Sequence, residues 1–436
     1  MMDILVYEAK YIYTNNTFKD LMNRELLKDV LIAQDRQRTE NIVRRSLIDK
    51  VNEFRDTPFV IIISGIRRCG KSTLLRSLKD DESYYINFDD ERFIGLIVED
   101  LAPIHNLLME LFGERRVFLL DEIQNIPGWE RFVRRLQDEG MKVFVTGSNA
   151  AMLSRELGTH LTGRNITFSL YPFSFKEYLD FKGIHAGSPE RMTSKEKSLL
   201  KRAFNSYLNE GGFPEYLETG KDEYLQSLYQ NILYRDIITR YGLTSERPLK
   251  EAAFYAASNL AKEMSFNKVR KLTGLSSATT VKEYYGYMEN SYLTFLVSRY
   301  DHSARKQMYY NKKIYFIDTA LARLVGFRPT EDHGRMLENI VYIDLRRRGG
   351  EIFFHRGKRE CDFILRKSGV ISEAIQVTTD LEGNKEREFE GLMEALELYD
   401  LDQGLILTQD QEGSMEMEGK DILVKPVWQW LLENDA

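Results

Sequence analysis

The densest chemical signal in the chain lies in Phe59–Thr73, FVIIISGIRRCGKST. Gly65, Ile66, Arg67, Arg68, Cys69 and Gly70 form a glycine-bounded loop, and Lys71, Ser72 and Thr73 follow it in the spacing G-x-x-x-x-G-K-[ST]. Glycines let the backbone close around phosphate oxygens with several N–H groups turned inward. The helix that opens at Lys71 adds partial positive charge at the same place. Lys71 can then reach the β- and γ-phosphates of a bound nucleotide, and the Ser72 hydroxyl can ligate magnesium. A second signal is Arg116–Gln124, RVFLLDEIQ, an apolar run that ends in Asp121 and Glu122. Asp121 is placed to hold magnesium, directly or through water, and Glu122 to polarise an attacking water. Behind a third apolar run, Lys142–Val145, the polar residues Ser148 and Asn149 are candidates to touch the γ-phosphate or orient that water. The acidic run Asp89, Asp90 and Glu91 reads either as a solvated strand end or as a contribution near the magnesium.

These residues need particular elements to bring them together. Phe59–Ile63, Tyr84–Phe88, Val117–Leu120 and Lys142–Val145 are short apolar or β-branched runs separated by helical patterns such as WERFVRRLQDEG. That alternation predicts a parallel sheet, in which ligands bind beyond the C-terminal strand ends. The charged segment Leu21–Phe54 has apolar residues at helical spacing and reads as an amphipathic helix or helix pair packed on that core.

Composition sets the outer limits. A length of 436 residues calls for two to four domains, and a hydrophobic share of 43% excludes global disorder. A net charge of −6 excludes a globally basic nucleic-acid binder but leaves room for a local basic face. The two cysteines, Cys69 and Cys361, are far apart and one lies inside the glycine loop, which fits a reducing cytoplasm better than a structural disulfide. No apolar run reaches membrane-spanning length, and the opening MMDILVYEAKYIYTNN does not read as a signal peptide, so no membrane partner is expected.

The run from the phosphate loop through LLDEIQNIPGWE and VTGSNAAMLSRELGTHLTGR to LYPFSFKEYL resembles one group of prokaryotic AAA+ ATPases. These lie near the signal-transduction type and are abundant in archaea; the likeness is close over roughly Thr57–Asp180. It implies ATP and Mg2+ as ligands, ATP hydrolysis as the activity, and assembly with further copies or a protein partner. It also makes Arg164, in the Gly163-Arg164 step before the last strand, a sensor or arginine finger that completes a site on a neighbouring subunit or its own, with Arg155 behind it. A guanidinium there would stabilise charge on the transferred phosphoryl group.

Beyond a polar linker, Gly183–Ser194, the chain is read by its patterns. Residues 195–248 are helical and correspond to the lid of the resembled family, with GGFPE at 211–215 as helix punctuation. Residues 249–332 read as a winged helix-turn-helix, with helices near 250–263, 267–272 and 277–290 and two hairpin strands. Its third helix would offer Thr279, Thr280, Lys282, Tyr284 and Tyr285 to a DNA groove, and its wing Arg299, His302, Arg305, Lys306, Lys312 and Lys313 to phosphates. Protein contact is the alternative use of such a module. Residues 333–436 resemble a restriction-endonuclease-like fold, with Glu338 on a helix and Asp362 on a strand. The expected E-x-K is broken, reading Gln376-Val377-Thr378, and Glu373 points to the other strand face, so a degenerate module used for binding or assembly is expected over a nuclease. The whole is thus expected to be α/β: an N-terminal helical segment (1–56), an AAA+ P-loop parallel sheet core (57–182), a helical lid, a winged helix and a small nuclease-like module. A slow nucleotide-gated switch that recruits a partner, and an ATP-controlled nuclease, are the alternatives to an ATPase coupled to the C-terminal half.

Overall fold

The computed structural model describes residues 24–37, 42–149, 163–187, 192–327, 332–382 and 385–433. They fall into two compact units. One holds the residues up to 42 together with 47–64 and 71–169; the other holds 43–46, 65–70 and everything from 170 onward.

The first unit is built on β1 (Val60–Ser64), β2 (Ser83–Asn87), β3 (Val117–Asp121), β4 (Lys142–Gly147) and β5 (Asn165–Ser169). Their spatial order is β2-β3-β4-β1-β5, and every neighbouring pair is parallel. A parallel sheet covered on both faces needs strands that are apolar throughout, and β1 (VIIIS) and β3 (VFLLD) are buried at every position. The helices Leu101–Phe112 and Trp129–Asp138 cover one face, with Leu108, Trp129, Phe132 and Leu136 packed on Phe118, Leu120 and Val145. Helical residues 24–36 join this core through Val30 and Leu31, as their amphipathic pattern predicts. The Gln34 amide donates to the Asn87 carbonyl at 3.2 Å and accepts from its N–H at 2.9 Å, which covers the edge of β2.

From residue 170 the second unit runs through helices at Phe175–Phe181, Ser194–Glu210, Pro214–Thr219 and Asp222–Asn231, then a π-helical stretch over Ile232–Thr239 and a helix at Arg247–Ser258. Strands β6 (Glu263–Met264), β7 (Thr294–Arg299) and β8 (Lys312–Phe316) follow, with helices Phe266–Thr273 and Ala278–Asn290 between β6 and β7. Then come the helix His333–Arg348, strands β9 (Glu351–Arg356), β10 (Glu360–Lys367) and β11 (Val370–Val377), the helix Lys385–Leu398, strands β12 (Gln403–Thr408), β13 (Gly413–Met417) and β14 (Lys420–Pro426), and the helix Val427–Glu433.

Among the described residues the nine strands of this unit form one sheet, in the order β13-β14-β12-β11-β10-β9-β7-β8-β6. The joint is a parallel pairing of β7 with β9 through Ser298↔Phe353 and Arg299↔Phe354. The stretches 249–332 and 333–436, which the sequence pattern presents as separate modules, therefore share a sheet. Strand patterning shows which residues alternate but not which strand lies alongside, so this joint and the β13–β14 hairpin are not legible in it. Among the described residues, no helix is long and apolar enough to cross a membrane.

Candidate functional site

Parallel pairing puts the C-terminal ends of β1, β3 and β4 on one edge of the five-stranded sheet, where Ser64 pairs with Gly147 and Leu120 with Val145. Asp121 ends β3 there and is completely buried. Its carboxylate is fixed from two sides: the Thr146 hydroxyl donates to Oδ1 at 2.5 Å and the Tyr85 hydroxyl to Oδ2 at 2.8 Å. Burial and the Asp121 charge together push the Tyr85 phenol well above its ordinary value, so Tyr85 stays a donor. Neither Thr146 nor Tyr85 stands out in the sequence; the available signal is their place at the ends of strands flanking β3. A carboxylate has about four acceptor positions, and two remain for a cation or its water.

Glu122 follows in the left-handed region, with φ 51. That conformation is costly for a residue with a side chain, and such strain gathers at functional sites. The Glu122 N–H donates to the Thr146 hydroxyl at 3.0 Å, so one threonine steadies both acidic residues. Its carboxylate accepts from Gln124 and stands 3.9 Å from the ammonium of Lys71, the buried first residue of the helix Lys71–Ser77. The structure thus brings Lys71, Asp121 and Glu122 to one edge, with Ser72 next to Lys71 on the helix. Mg2+ keeps most of its water and takes phosphate oxygens besides, so one hydroxyl and one carboxylate from the protein suit it. Among the described residues no group of three or more His, Cys, Asp or Glu side chains gathers as a self-sufficient metal site.

The loop Gly65–Gly70 belongs to the second unit, whose groups set its shape. A Cβ on Gly65 would lie 2.1 Å from the Leu170 carbonyl oxygen, so only glycine fits there. The Cys69 thiol donates to the same carbonyl at 3.4 Å and is fully buried. Arg45, which the helical pattern of Leu21–Phe54 does not set apart, is the residue most clearly missed. It is buried, and it donates to the Cys69 carbonyl at 2.7 Å and the Tyr171 carbonyl at 2.6 Å. Its third partner is Glu177, with Nε 3.0 Å from the carboxylate. Burial alone would raise the Glu177 carboxyl, but Arg45 and Arg347 hold it below its ordinary value. Glu177 also closes a capping box with Ser174 and accepts from the Ser46 N–H at 2.9 Å, so the buried charge is fully partnered. Arg68 takes the left-handed conformation at φ 64, and Gly70 stands at φ 102, outside the range of ordinary side chains.

Other expected residues are placed differently. Ser148 and Asn149 lie just beyond β4 on the same edge as Asp121, both buried. Asp90 instead caps the turn Glu91–Phe93 and holds Arg92 at 2.6 Å, which lowers its carboxyl to about 2; that charge serves the turn. Arg164 must be corrected as a sensor of its own chain's nucleotide. It immediately precedes β5, its carbonyl accepts from Val60 N–H, and its guanidinium is exposed 3.8 Å from Asp138. Val60 begins β1, so Arg164 sits at the N-terminal edge of the sheet, opposite Asp121. A residue just ahead of a parallel strand always does, and the sequence carried that signal. Arg155 lies outside the described residues.

In the second unit, Thr279, Lys282, Arg305 and Lys306 are exposed, and the backbone N–H of Thr280 is capped by Ser277. Two of the surface expectations are corrected. Tyr285 is fully buried and donates to the Ala252 carbonyl at 3.0 Å. Lys313 is also buried: its ammonium lies 2.9 Å from Glu338, 2.8 Å from Asp362 and 2.7 Å from Glu360. Burial alone would lower the Lys313 amine, but the charges of Asp362 and Glu338 raise it well above its ordinary value. Gln376 completes the cluster, accepting from the Asp362 N–H at 3.2 Å and donating to Glu388. The lysine missing from position 378 is therefore matched by a lysine from β8, the strand expected to form the wing. Glu373 is turned away, 3.3 Å from Lys367 at the surface.

A family model described as an AAA domain matches residues 57–179, and one described as a domain of unknown function matches residues 201–331. An uncharacterized protein of Methanocaldococcus jannaschii is 33% identical over 396 residues, covering 85% of this chain and 88% of that protein. One of Haemophilus influenzae is 30% identical over 413 residues, covering 90% and 99%. Among solved structures, a Walker-type ATPase of Pyrococcus abyssi matches 66% of this chain and 97% of its own, at 16% identity and a TM-score of 0.41.

Proposed function

The chain belongs to a family of AAA-domain proteins shared by archaea and bacteria, and from that premise we propose that it is a magnesium-dependent ATPase whose nucleotide state drives its C-terminal half. The observation that carries this reading is the convergence of Lys71, Asp121 and Glu122 on one sheet edge, with Lys71 and Glu122 3.9 Å apart. Lys71 neutralises phosphate charge. Ser72 and Asp121 would hold Mg2+, which would supply charge that neutralises the phosphates. Glu122, next to the fixed strand-end Asp121, accepts the proton of the attacking water. Ser148 and Asn149 orient that water or the γ-phosphate.

The test is steady-state ATP turnover by the full chain with and without duplex DNA. Lys71→Ala should abolish nucleotide binding, whereas Glu122→Gln should keep binding and lose turnover. Wild-type turnover by Glu122→Gln would remove Glu122 from the role of base.

For residues 249–332 a winged helix is supported by the order helix, β6, helix, helix, β7, short helix Ala304–Tyr309, β8, with β6 and β7 both paired to β8. Exposed Thr279, Lys282, Arg305 and Lys306 make duplex DNA a partner to test, and a rise in turnover on adding DNA is the expected sign of contact. For the last module, Lys313 among Glu338, Glu360 and Asp362 favours a degenerate nuclease-like fold used for binding or assembly. A cation the protein carries itself already compensates those carboxylates. Metal-dependent DNA cleavage that disappears in Asp362→Ala is the result that would reverse this reading. Arg164 keeps one use in catalysis, as an arginine finger on the site of another copy.

A further inference from the structure

Three consecutive residues of the phosphate loop are tied by side chains of the second unit. Arg67 forks onto Asp236, with Nε 3.0 Å from Oδ2 and Nη2 2.9 Å from Oδ1. Arg68 reaches Glu215 at 3.0 Å, and the carbonyl of Cys69 accepts from Arg45. The Arg68 pair is exposed on both sides and contributes little. The Arg67 pair differs: the Asp236 side chain is 3% exposed against 23% for Arg67. A buried carboxylate needs a cation at hydrogen-bond distance, and a two-point fork fixes the direction of the guanidinium as well as its place. Asp236 lies inside the π-helical stretch Ile232–Thr239. Such i→i+5 segments are less favourable than α-helix and recur at functional sites. The sequence pattern there is helical and points to no chemistry.

We infer that Asp236 is a positioning residue for the nucleotide loop: through Arg67 it sets the loop's phosphate-binding shape and links that shape to the π-helical stretch. This rests on the reading of Gly65–Gly70 as a nucleotide loop. Arg68 must hold its left-handed backbone next to Arg67, and an anchored Arg67 on one side and a held Cys69 carbonyl on the other compensate that strain. The inward N–H groups of the loop depend on this backbone, so losing the fork scatters the donors that phosphate needs. Linkage is reciprocal: nucleotide that favours the held loop also favours the conformation of Ile232–Thr239 that presents Asp236.

The experiment is a double-mutant cycle on nucleotide affinity, using the full chain and ADP–Mg2+ titrated in a calorimeter. Asp236→Asn and Arg67→Gln should each weaken binding about tenfold or more, and the double variant should be no weaker than the weaker single one. Hydrogen exchange over 232–239 should slow on adding ADP in the wild type and be indifferent to ADP in either single variant, a response that a purely structural contact would not give. Should Asp236→Asn fail to fold, Arg67→Lys keeps the charge but loses the fork, and should show a smaller loss in the same direction. Folded single variants with wild-type affinity, effects that multiply in the double variant, or exchange unmoved by ADP in the wild type would each overturn the inference. Lys71→Ala separates the two levels. If the wild type takes up no ADP, the nucleotide reading falls and this inference with it. If only Lys71→Ala loses ADP, the positioning role alone falls.

Discussion

Replacing Lys313 with methionine should destabilise the second unit by about 4 kcal/mol, within the 3–5 kcal/mol typical of breaking a buried ion pair. Lys313 is completely enclosed, and its ammonium is the cation shared by Glu338, Asp362 and Glu360. Three charge-assisted hydrogen bonds at roughly 1.5–3 kcal/mol each would set a higher figure. Two effects bring it down. Glu360 is partly exposed and returns to water. Glu338, raised to about 8 by burial and the neighbouring Asp362 charge even with Lys313 beside it, is held neutral by its own proton when the cation is gone. Methionine keeps the length of the stem, so little of the loss comes from a cavity. The assay is urea unfolding followed by the emission of Trp428 and Trp430, both buried in this unit. With a denaturant slope of about 3 kcal/mol per molar, the midpoint should fall by roughly 1.3 M. Adding Asp362→Asn to Lys313→Met removes the charge left stranded and should restore about 1–2 kcal/mol. A midpoint within 0.2 M of wild type for Lys313→Met, or a second substitution that simply adds its own loss, refutes the idea that Lys313 is the cluster's counter-ion.

Thr146→Val removes the hydroxyl that holds both Asp121 and the Glu122 N–H; with a net value of about 1–3 kcal/mol, ATP turnover should fall roughly 10- to 100-fold while ADP affinity changes little. Arg45→Met strands the Glu177 carboxylate and frees the Cys69 carbonyl, and should lower the Tm of the unit by roughly 10 °C in a calorimetric scan. Glu338 binds its proton more tightly in the folded chain, with a value of about 8 against an ordinary 4.5. Its stabilising contribution is therefore complete below pH 4.5 and is lost as pH rises through about 8. Glu338→Gln should accordingly gain in Tm relative to wild type between pH 5 and 8, and a constant difference across that range would contradict the raised value.

What the sequence determined by itself was local. The run VIIIS ahead of GIRRCGKST specifies a buried strand, a tight loop and a helix start, because burial on both faces demands an unbroken apolar run and close backbone approach demands glycine. Ser277 ahead of ATTVKEYY caps a helix, and VWQWLLE forms one, for equally local reasons. Asp121 and Glu122 at the end of an apolar run were readable as strand-end carboxylates from the same logic.

The tertiary structure decided which residues meet. Thr146 and Tyr85 reach Asp121 only because β4 and β2 flank β3, an order that no stretch of sequence states. Strand direction put Arg164 on the far edge from Asp121. Arg45 lies 24 residues before position 69 and Asp236 169 residues after position 67, yet both converge on the one loop. Lys313 read as a basic wing residue because a lysine between strands is usually solvated. Instead its side chain reaches from β8 to Glu338 on the helix and to Glu360 and Asp362 on β10, where a buried cation compensates the carboxylates. Chain spacing constrains neighbours within a turn or a strand. Charge compensation in a core is settled by whichever distant segment the sheet order delivers.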